Sequence, residues 1–370
     1  MFNRLGLKKL GKIKNFLTLY TSGLGRNDIE LLLKKDTVDA FSYLKAKTDL
    51  EKQTDQPKSL KFYIRAARKI FLSFVMQLSP ARRLVYGIGF ILFIAGIFYT
   101  DKAYILFSFL VLNLLLALEL VDKLTTRDEL EIAREIQLSL QPSHIPTTDQ
   151  FSFSTYSEPA RIVGGDFYDI IRPADDKIIS IIGDVSDKGV SAALYAVYTQ
   201  SVFQSLSETQ TSPSRIMESL NEVIGKRLRD GDFVTAAVAL FDPKEKSVTI
   251  TRAGHNWPLH YCARTRDISE LKPKGPSIGM IDNPQFSNQL EEHKIFLEKG
   301  DFLLLYTDGI TEAFDGENRM FDITGLKSAI RETAHKSSKE IIDHINHQLN
   351  NFTDCGELHD DATMVAVKIN

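Results

Sequence analysis

The sequence predicts an α+β protein in which a mostly antiparallel sheet system with flanking helices follows two membrane-spanning helices and a linker helix. Three observations support this fold class. Two apolar runs stand side by side, an amphipathic run without glycine follows them, and short strand patterns joined mostly by turns fill the rest. Turns in place of crossover helices favour antiparallel strands over a doubly wound parallel sheet.

The composition is that of a folded protein with more than one domain. The chain has 370 residues, which corresponds to two or three units at about 150 residues each. Because 43% of the residues are hydrophobic and 25% are charged, the disordered and low-complexity classes are excluded. The two cysteines, Cys262 and Cys355, exclude a disulfide framework and a four-cysteine zinc site, and they fit a reducing compartment.

Positive charge is concentrated before the apolar runs. Residues 1–83 carry 18 Lys and Arg against 7 Asp and Glu, although the whole chain has a net charge of −3. A basic segment beside an acidic body indicates either nucleic acid or an anionic membrane surface as the partner. Because the apolar runs follow directly, the sequence favours membrane lipid and predicts no nucleic acid partner.

The apolar runs predict a transmembrane helical hairpin at residues 84–121. The run 84–100 has 17 residues without a charge, and the run 103–121 has 19 residues with one charge, Glu119. A membrane-spanning helix needs about 17–25 residues. A helical hairpin buried in a soluble protein is the alternative, which the length of both runs and the tyrosines near their ends make less favourable.

Flanking positive charge predicts the orientation of this hairpin. Lys102 is the only positive residue between the two runs, whereas eight positive residues lie within 20 positions of their outer ends. The positive-inside rule then places both 1–83 and the chain after the hairpin in the cytoplasm, as expected of a multi-pass protein of the cytoplasmic (inner) membrane. Within the first region, residues 61–79 predict a basic amphipathic helix lying along anionic lipid.

A linker helix is predicted at residues 122–145. Leu130, Ala133 and Ile136 recur at spacings of three, and Pro142 limits the helix. The pattern fits two alternatives equally well. One is a spacer helix packed on the next domain, and the other is a helix that forms a homodimer and transmits a signal.

Residues 146–370 predict one further domain of strands and helices. Ser212 before Pro213 indicates the start of one helix, and Ser337 with Glu340 forms a capping box at the start of another. The strand patterns are 151–156, 177–182, 233–241, 247–252, 259–262, 302–306 and 363–369.

Aspartates stand beside several glycine-flanked strand ends of this domain. Asp184 and Asp308 follow strand patterns, Asp360 and Asp361 precede one, and Asp166 follows two glycines. Carboxylates that share one sheet edge raise one another's pKa, and divalent cations relieve their repulsion. Oxygen ligands without nearby Cys or His select Mg²⁺ or Mn²⁺ over zinc. Each Asp–Gly pair alone is more typical of a turn, and only their number favours a site.

Five motifs in one order resemble a known family. They are VGGDFYD (163–169), GDVSDKGVSAAL (183–194), AGHNWPLHY (253–261), LLLYTDGITEA (303–313) and DDATMVAV (360–367). Together they resemble the SpoIIE/RsbU branch of the metal-dependent protein phosphatase 2C-like (PPM) serine/threonine phosphatases, over roughly residues 125–370. The linker stretch EIAREIQLSLQP is similar to the segment that precedes the catalytic domain in that branch.

The resemblance implies both a fold and a set of metal ligands. The fold is a β-sandwich of two antiparallel sheets with helices outside, and two Mn²⁺ or Mg²⁺ ions bind at one end of it. Asp184 is the residue expected to bridge the two ions. Carried over motif by motif, the ligands are Asp166, Asp184, the carbonyl of Val185, Asp308 and Asp360.

Other motif residues receive roles that the sequence leaves open. Arg161 stands at the spacing of a phosphate-binding arginine, and the alternative is a surface arginine. Lys188 is either a phosphate contact or a solvated loop lysine. His255 and Asn256 either shape a turn or take part in substrate binding or proton transfer.

Two further aspartates have expected roles, and two pairs of residues depart from the motifs of the family. Asp361 is expected to support the ligands without reaching the ions, and Asp169 is expected to have either this supporting role or a structural one. Asp187–Lys188 stands where many relatives have Gly–His or Gly–Lys, and Phe321–Asp322 stands where many have Phe–Gly. Neither departure removes an expected ligand, but both are expected to act on loop geometry, metal affinity or substrate choice.

The resemblance also implies the reaction and its partner. A hydroxide held between the two ions would attack the phosphorus of phosphoserine or phosphothreonine in line. Relatives act on phosphorylated anti-sigma-factor antagonists with a STAS-type fold, which is the substrate expected here. Two alternatives remain: a catalytically inactive, phosphatase-like membrane scaffold or receptor, and a hydrolase of a non-protein phosphoester such as a nucleotide or a lipid headgroup.

Overall fold

The computed structural model describes residues 68–370, except 70, 74, 77, 143, 147, 174, 175 and 354–357. The region 1–60 and Cys355 therefore lie outside the described residues, as does most of the amphipathic helix predicted at 61–79. Contacts divide the chain into two compact units, Met1–Lys123 and Leu124–Asn370.

Two helices account for the apolar runs. Helix α1 spans Pro80–Phe98 and helix α2 spans Lys102–Ser139. Both are long and apolar enough to cross a membrane by length and composition, and most of their large apolar side chains are exposed. The second apolar run continues into the predicted linker as one helix, which ends at Ser139, before Pro142.

Small residues allow α1 and the first part of α2 to pack closely. A Cβ on Gly96 would lie 2.6 Å from the Cγ1 of Ile105, so a larger side chain does not fit there. The Ser108 hydroxyl donates a hydrogen bond of 2.7 Å to the Gly89 carbonyl of the facing helix. Small side chains and interhelical hydrogen bonds of this kind are typical of packed membrane helices.

The second unit contains a sandwich of two antiparallel sheets. Its strands are β1 (Phe151–Glu158), β2 (Phe167–Ile171), β3 (Ile178–Val185), β4 (Val234–Asp242), β5 (Ser247–Ala253), β6 (Leu259–Cys262), β7 (Asp267–Glu270), β8 (Glu292–Phe296), β9 (Phe302–Tyr306) and β10 (Ala362–Ile369). Within the described residues, one sheet has the order β1-β10-β9-β6-β7 and the other the order β2-β3-β4-β5-β8. Each neighbouring pair of strands is antiparallel. The predicted fold class is confirmed.

Helices cover the outer faces of both sheets. They are α3 (Val190–Ser207), α4 (Pro213–Ile224), α5 (Gln285–Asn288), α6 (Asp308–Thr311), α7 (Asp322–Thr333) and α8 (Ser338–Phe352). The predicted helix starts are confirmed, because the Ser212 hydroxyl accepts from the Arg215 N–H and Ser337 with Glu340 forms the capping box.

The sequence reading missed several of these elements. It did not separate helices α3 and α7 from the loops, and it did not find strands β2, β7 and β8. Strand β8 is an edge strand that is mostly exposed, so it lacks the alternation of buried and exposed residues that marks a strand. Helix α3 has four Ser, three Val and two Tyr among its 18 residues, and these residue types do not favour a helix without tertiary contacts.

Apolar side chains fill three layers of this unit. The layer between the sheets includes Phe151, Phe153 and Phe241. A second layer lies between the sheet of β3 and helices α3 and α4, and a third lies between the sheet of β9 and helices α7 and α8. The two sheets are therefore held face to face, which fixes where their strand ends meet.

We predict that Phe241→Ala destabilises this unit strongly. The Phe241 ring is fully buried, and its centroid lies 5.5 Å from that of Phe151 and 5.1 Å from that of Phe153. Truncation of such a ring costs about 3–5 kcal/mol. Urea unfolding of the full chain in detergent, followed by near-ultraviolet circular dichroism, measures the change.

Phe296→Ala is the matched control, because the Phe296 side chain is 70% exposed. It should cost less than about 1 kcal/mol. Equal losses from the two variants would mean that the layer between the sheets is packed differently from this description.

Candidate active site

The first candidate acid lies where the chain enters β2. Asp166 directly precedes the strand and is buried. Its Oδ2 accepts a hydrogen bond of 2.7 Å from the hydroxyl of Thr307, which follows β9 in the other sheet. Burial, and after it the charge of Asp184, raises the pKa of Asp166 well above its ordinary value. The bond to Thr307 joins the ends of the two sheets at this carboxylate.

The second acid lies inside β3, which continues three residues beyond residue 182, the end predicted from its apolar run. Asp184 pairs in register with Thr235 of β4. Burial raises the pKa of Asp184 to about 8, and the charges of Asp308, Asp360 and Asp361 add to the shift. The sandwich therefore brings Asp184 within electrostatic reach of Asp308 in the fourth motif and of Asp360 and Asp361 in the fifth.

Two glycines let the loop before β2 approach these acids. A Cβ on Gly165 would lie 3.2 Å from the carbonyl oxygen of Val185 and 3.3 Å from the Oδ1 of Asp184. A Cβ on Gly164 would lie 2.5 Å from the Oδ2 of Asp361. Side chains at either position would push the loop away from the acids, which is the physical reason for the glycine pair.

Asp308 begins the single-turn helix α6 just after β9. Burial raises its pKa, and the charges of Glu312 and Asp360 raise it further. Gly309 lies directly against the backbone carbonyl of Asp361, so the loops that carry the last two motifs touch here.

The two terminal aspartates have different surroundings. The carboxylate of Asp361 accepts hydrogen bonds from the N–H of Ala160 at 2.7 Å and of Gly165 at 2.6 Å. The Oδ2 of Asp360 accepts from the Lys188 ammonium at 2.6 Å. Asp361 thus holds the loop before β2 in place. This agrees with its predicted supporting role and leaves Asp360 as the predicted ligand.

Lys188 and Arg161 lie on the rim of the same region. Besides its ion pair with Asp360, the Lys188 ammonium donates to the carbonyl of His359 at 3.2 Å, so it is not simply a solvated loop lysine. Arg161 is exposed, and its Nη1 lies 4.0 Å from where a Cβ on Gly189 would be. Arg161 therefore stands beside the loop that follows Asp184, and its phosphate-binding role remains a prediction.

His255 is buried, and Thr235 lies between it and the backbone of Asp184. Its Nδ1 lies 3.0 Å from the hydroxyl oxygen of Thr235, which in turn lies 3.3 Å from the carbonyl oxygen of Asp184. Burial, and after it the positive charge of Arg252, lowers the pKa of His255 to about 3, so the ring is neutral. Its Nε2 has no hydrogen-bond partner. Asn256, the next residue, is partly exposed on the cleft beside it.

Asp169 is engaged elsewhere. Its Oδ2 accepts from Gln204 of α3 at 2.7 Å, its Oδ1 accepts from the N–H of Ile170, and burial raises its pKa. These bonds tie β2 to α3, so the structure gives Asp169 a role in the fold and does not bring it to the other acids. These bonds fit the structural alternative that the sequence left open for Asp169.

Three uncharged residues at the site were not predicted from the sequence. Thr307 and Thr235 contact the acids, and Gln137 of α2 exchanges two hydrogen bonds with the backbone of Gly164, at 2.7 and 3.3 Å. A search for titratable side chains does not find neutral hydroxyls and amides. The positions of Thr307 and Gln137 inside the motif and linker stretch were the available signal.

The donor set fits divalent cations by its chemistry. Burial and the charges of neighbouring carboxylates raise the pKa values of Asp166, Asp184 and Asp308, and all of the side-chain donor atoms are oxygens, which suits Mg²⁺ or Mn²⁺. Among the described residues, no three His, Cys, Asp or Glu side chains converge tightly enough to hold an ion. To share a cation the carboxylates must therefore turn toward one another, and Asp360 must turn away from Lys188.

Comparison with known proteins identifies a family. The sequence profile of stage II sporulation protein E (SpoIIE) matches residues 174–370. Phosphoserine phosphatase RsbU of Bacillus subtilis is 30% identical over 243 residues, which are 65% of this chain and 70% of RsbU. Protein IcfG of Synechocystis is 32% identical over 281 residues, which are 68% of this chain and only 43% of IcfG.

Solved structures share the fold at lower identity. The SiaA-PP2C domain of Pseudomonas aeruginosa superposes with a TM-score of 0.57 and 18% identity, covering 67% of this chain and 99% of that domain. The PP2C phosphatase domain of SpoIIE from Bacillus subtilis superposes with a TM-score of 0.52 and 19% identity, covering 60% of this chain and 64% of that one.

The sandwich with acids at one end therefore defines a PP2C-like phosphatase, an enzyme of the hydrolase class. Within that class, the chain belongs to the SpoIIE family, in the SpoIIE/RsbU branch.

We predict that His255 makes the protein less stable as the pH falls from 7 to 5. A histidine whose folded pKa is about 3, below its unfolded value of about 6.5, stabilises the fold above pH 6.5 and loses this contribution at lower pH. The expected loss between pH 7 and 5 is about 2 kcal/mol. Urea unfolding at both pH values, compared between the protein and His255→Gln, measures it, because glutamine does not titrate. A pH dependence that is unchanged in the variant would show that the imidazole is accessible to protons.

Proposed function

We propose that this chain is a membrane-anchored, Mn²⁺- or Mg²⁺-dependent protein phosphatase that hydrolyses phosphoserine and phosphothreonine. The observation that carries the proposal is the meeting of Asp166, Asp184, Asp308 and Asp360 at one end of the sandwich. Support for the substrate comes from the similarity to RsbU, which is a phosphoserine phosphatase.

The chain's own residues would divide the work as follows. The four acids and the carbonyl of Val185 would hold the ions, which when bound acidify water and offset phosphoryl charge. Hydrogen bonds from Thr307 to Asp166 and from two backbone N–H groups to Asp361 keep the ligand loops in register. The exposed guanidinium of Arg161 would bind the phosphoryl oxygens and orient phosphorus for in-line attack.

Both apolar helices support an anchor in the inner membrane. They would cross it as a hairpin at 84–121 between a basic cytoplasmic region, 1–83, and a linker, 122–145, that leads to the catalytic domain, 146–370. Where the hairpin returns to its starting side, Arg82 pairs with Glu119 at 2.9 Å and Asp122 at 2.7 Å. Paired charges at this level fit the boundary between lipid and water better than the bilayer interior.

The substrate and assembly follow from the same similarity. The proposed substrate is a phosphorylated regulatory protein of the STAS-type anti-sigma-factor antagonist class. The proposed assembly is a homodimer through α2, on which Ile132 and Ile136 are 57% and 55% exposed. Partner, lipid contact and dimer are all parts of the proposal.

The first test measures phosphate release from a panel of phosphoserine proteins by the full chain in detergent. Activity should require Mn²⁺ and disappear with EDTA. Asp184→Asn should lower the rate by at least about 100-fold, a loss typical of a group that stabilises the transition state, and calorimetry should show weaker Mn²⁺ binding. Asp230→Asn is the matched control, because Asp230 is exposed, and it should keep both.

The alternatives predict other results. Absence of both turnover and Mn²⁺ binding would favour a catalytically inactive scaffold or receptor. Faster turnover of a nucleotide or a lipid headgroup than of every phosphoprotein would identify a different phosphoesterase.

A second test addresses the anchor. Alkaline carbonate should leave the full chain in the membrane fraction, and protease added to right-side-out spheroplasts should leave residues 122–370 intact. Extraction by carbonate would contradict a membrane-spanning hairpin, and cleavage of the catalytic domain would reverse its orientation.

A further inference from the structure

A cleft with a volume of about 350 Å³ opens beside Asp308, and the active-site assignment does not account for it. We call it the Trp257 cleft. Besides Asp308, its walls include His255, Trp257, Glu312 and Asp322. Because Asp308 belongs to the proposed metal site, anything in this cleft lies next to a bound phosphoryl group.

The walls of the Trp257 cleft are mainly negative. Glu312 and Asp322 are both exposed, and they add to the charge of Asp308. Arg252 also lines the cleft and adds one positive charge, and its guanidinium donates to the backbone carbonyls of His255 at 2.6 Å and of Pro273 at 3.1 Å. Glu312 and Asp322 would keep their charge with metal ions bound at Asp308, so the cleft favours a cationic ligand.

The aromatic wall already carries a cation. Trp257 is 41% exposed, and the Lys272 ammonium lies 4.0 Å from its ring centroid. Lys272 also pairs with Glu270 at 2.9 Å, so it has a second partner when it leaves the ring. An indole face that accepts an ammonium group also accepts a guanidinium group, which is flatter and more weakly hydrated.

His255 supplies an observation that is independent of the acids. Its ring is 4% exposed, lines the cleft and has an Nε2 without a partner. Nδ1 lies 3.0 Å from the Thr235 hydroxyl oxygen, and which of these two atoms donates depends on the tautomer of the ring. In either tautomer a buried Nε2 without a partner is unfavourable, which marks this wall of the cleft as a place where a ligand would bind.

Asp322 occupies a backbone conformation that most residues avoid. Its φ is +59° at the start of α7, which is unfavourable for residues other than Gly, Asn and Asp. A carboxylate there also favours the helix N-terminus, and its Oδ1 accepts from the Ile323 N–H at 2.6 Å. Asparagine tolerates the same backbone and accepts the same bond, so Asp322→Asn removes the charge and, besides it, only the long bond of 3.4 Å that Oδ2 accepts from the Thr324 hydroxyl.

A metal ion suits the Trp257 cleft less well than an organic cation. Its acids are not among any group of three described ligands close enough to hold an ion, and an indole contributes nothing to metal binding. A guanidinium group offers five N–H donors in one plane, which match separated carboxylates while its face stacks on the ring.

We infer that the Trp257 cleft binds a basic side chain of the phosphoprotein substrate, preferably arginine, close in sequence to the phosphorylated residue. The cleft thereby selects substrates by a residue other than the one that reacts. This inference rests on the proposed phosphatase activity, and Glu312, Asp322, Trp257 and His255 are its specificity-determining residues.

Binding is tested without catalysis. Trp257 is the only tryptophan among the 370 residues, so fluorescence excited at about 295 nm, where tyrosine absorbs little, reports on this cleft. The full chain in detergent is titrated with N-acetylarginine amide and with its uncharged isostere, N-acetylcitrulline amide. Only the arginine compound should give a saturable change, and Asp322→Asn should weaken it about tenfold, which corresponds to about 1.4 kcal/mol.

Specificity is tested with phosphoserine peptides in which one arginine moves from three positions before to three positions after the phosphoserine. One position should give kcat/KM about tenfold higher than the same peptide with citrulline, mainly through KM. Asp322→Asn should reduce this ratio to about one, because only the arginine peptide loses an ionic partner. Asp343→Asn, at an exposed residue of α8, is the control and should keep the ratio.

The outcomes separate this inference from the proposed function. If neither the citrulline peptides nor p-nitrophenyl phosphate is hydrolysed, the phosphatase proposal fails. If both are hydrolysed and no position distinguishes arginine from citrulline, the inference alone is wrong. A loss of one bound Mn²⁺ in Asp322→Asn would make the cleft a metal site and would also overturn it.

Discussion

The repulsion among carboxylates at one end of the sandwich is the constraint on which the rest of this structure depends. Asp166 and Asp184 come from one sheet, and Asp308 and Asp360 come from the other, so packing the sheets face to face brings like charges together. Together with burial, this repulsion raises the pKa values of Asp166, Asp184 and Asp308. Only the large apolar layers between and outside the sheets can hold such a cluster, because the charges themselves oppose it.

Neutral groups make this cluster possible. Thr307 bonds Asp166 across the two sheets, and the carboxylate of Asp361 holds two backbone N–H groups of the loop before β2. Gln137 connects α2 to the backbone of Gly164 in that loop. Gln137 belongs to the same compact unit as the acids, so a neutral amide helps to hold the loop that carries Asp166.

The motifs predicted the acids and the fold class well, because acids beside glycines stand out in a sequence and the family is specific. The sequence reading did not find strands β2, β7 and β8 or helices α3 and α7, and β8 is mostly exposed, so it has no buried face that would mark a strand. It left both a structural and a supporting role open for Asp169, and the bonds of Asp169 to Gln204 and Ile170 favour the structural one. Strand pairing decides which way such a side chain points, and no local pattern records it.

The sequence by itself determined the two apolar helices, the capped helices α4 and α8, the family and the candidate acids, because each depends on local composition or on an ordered motif. Tertiary structure decided which residues meet. It joined Asp166 to Thr307, separated the surroundings of Asp360 from those of Asp361, and placed Trp257 and Asp322 around one cleft although 65 positions separate them. Such meetings arise from the register of two sheets and the packing of their helices, and these depend on the whole chain.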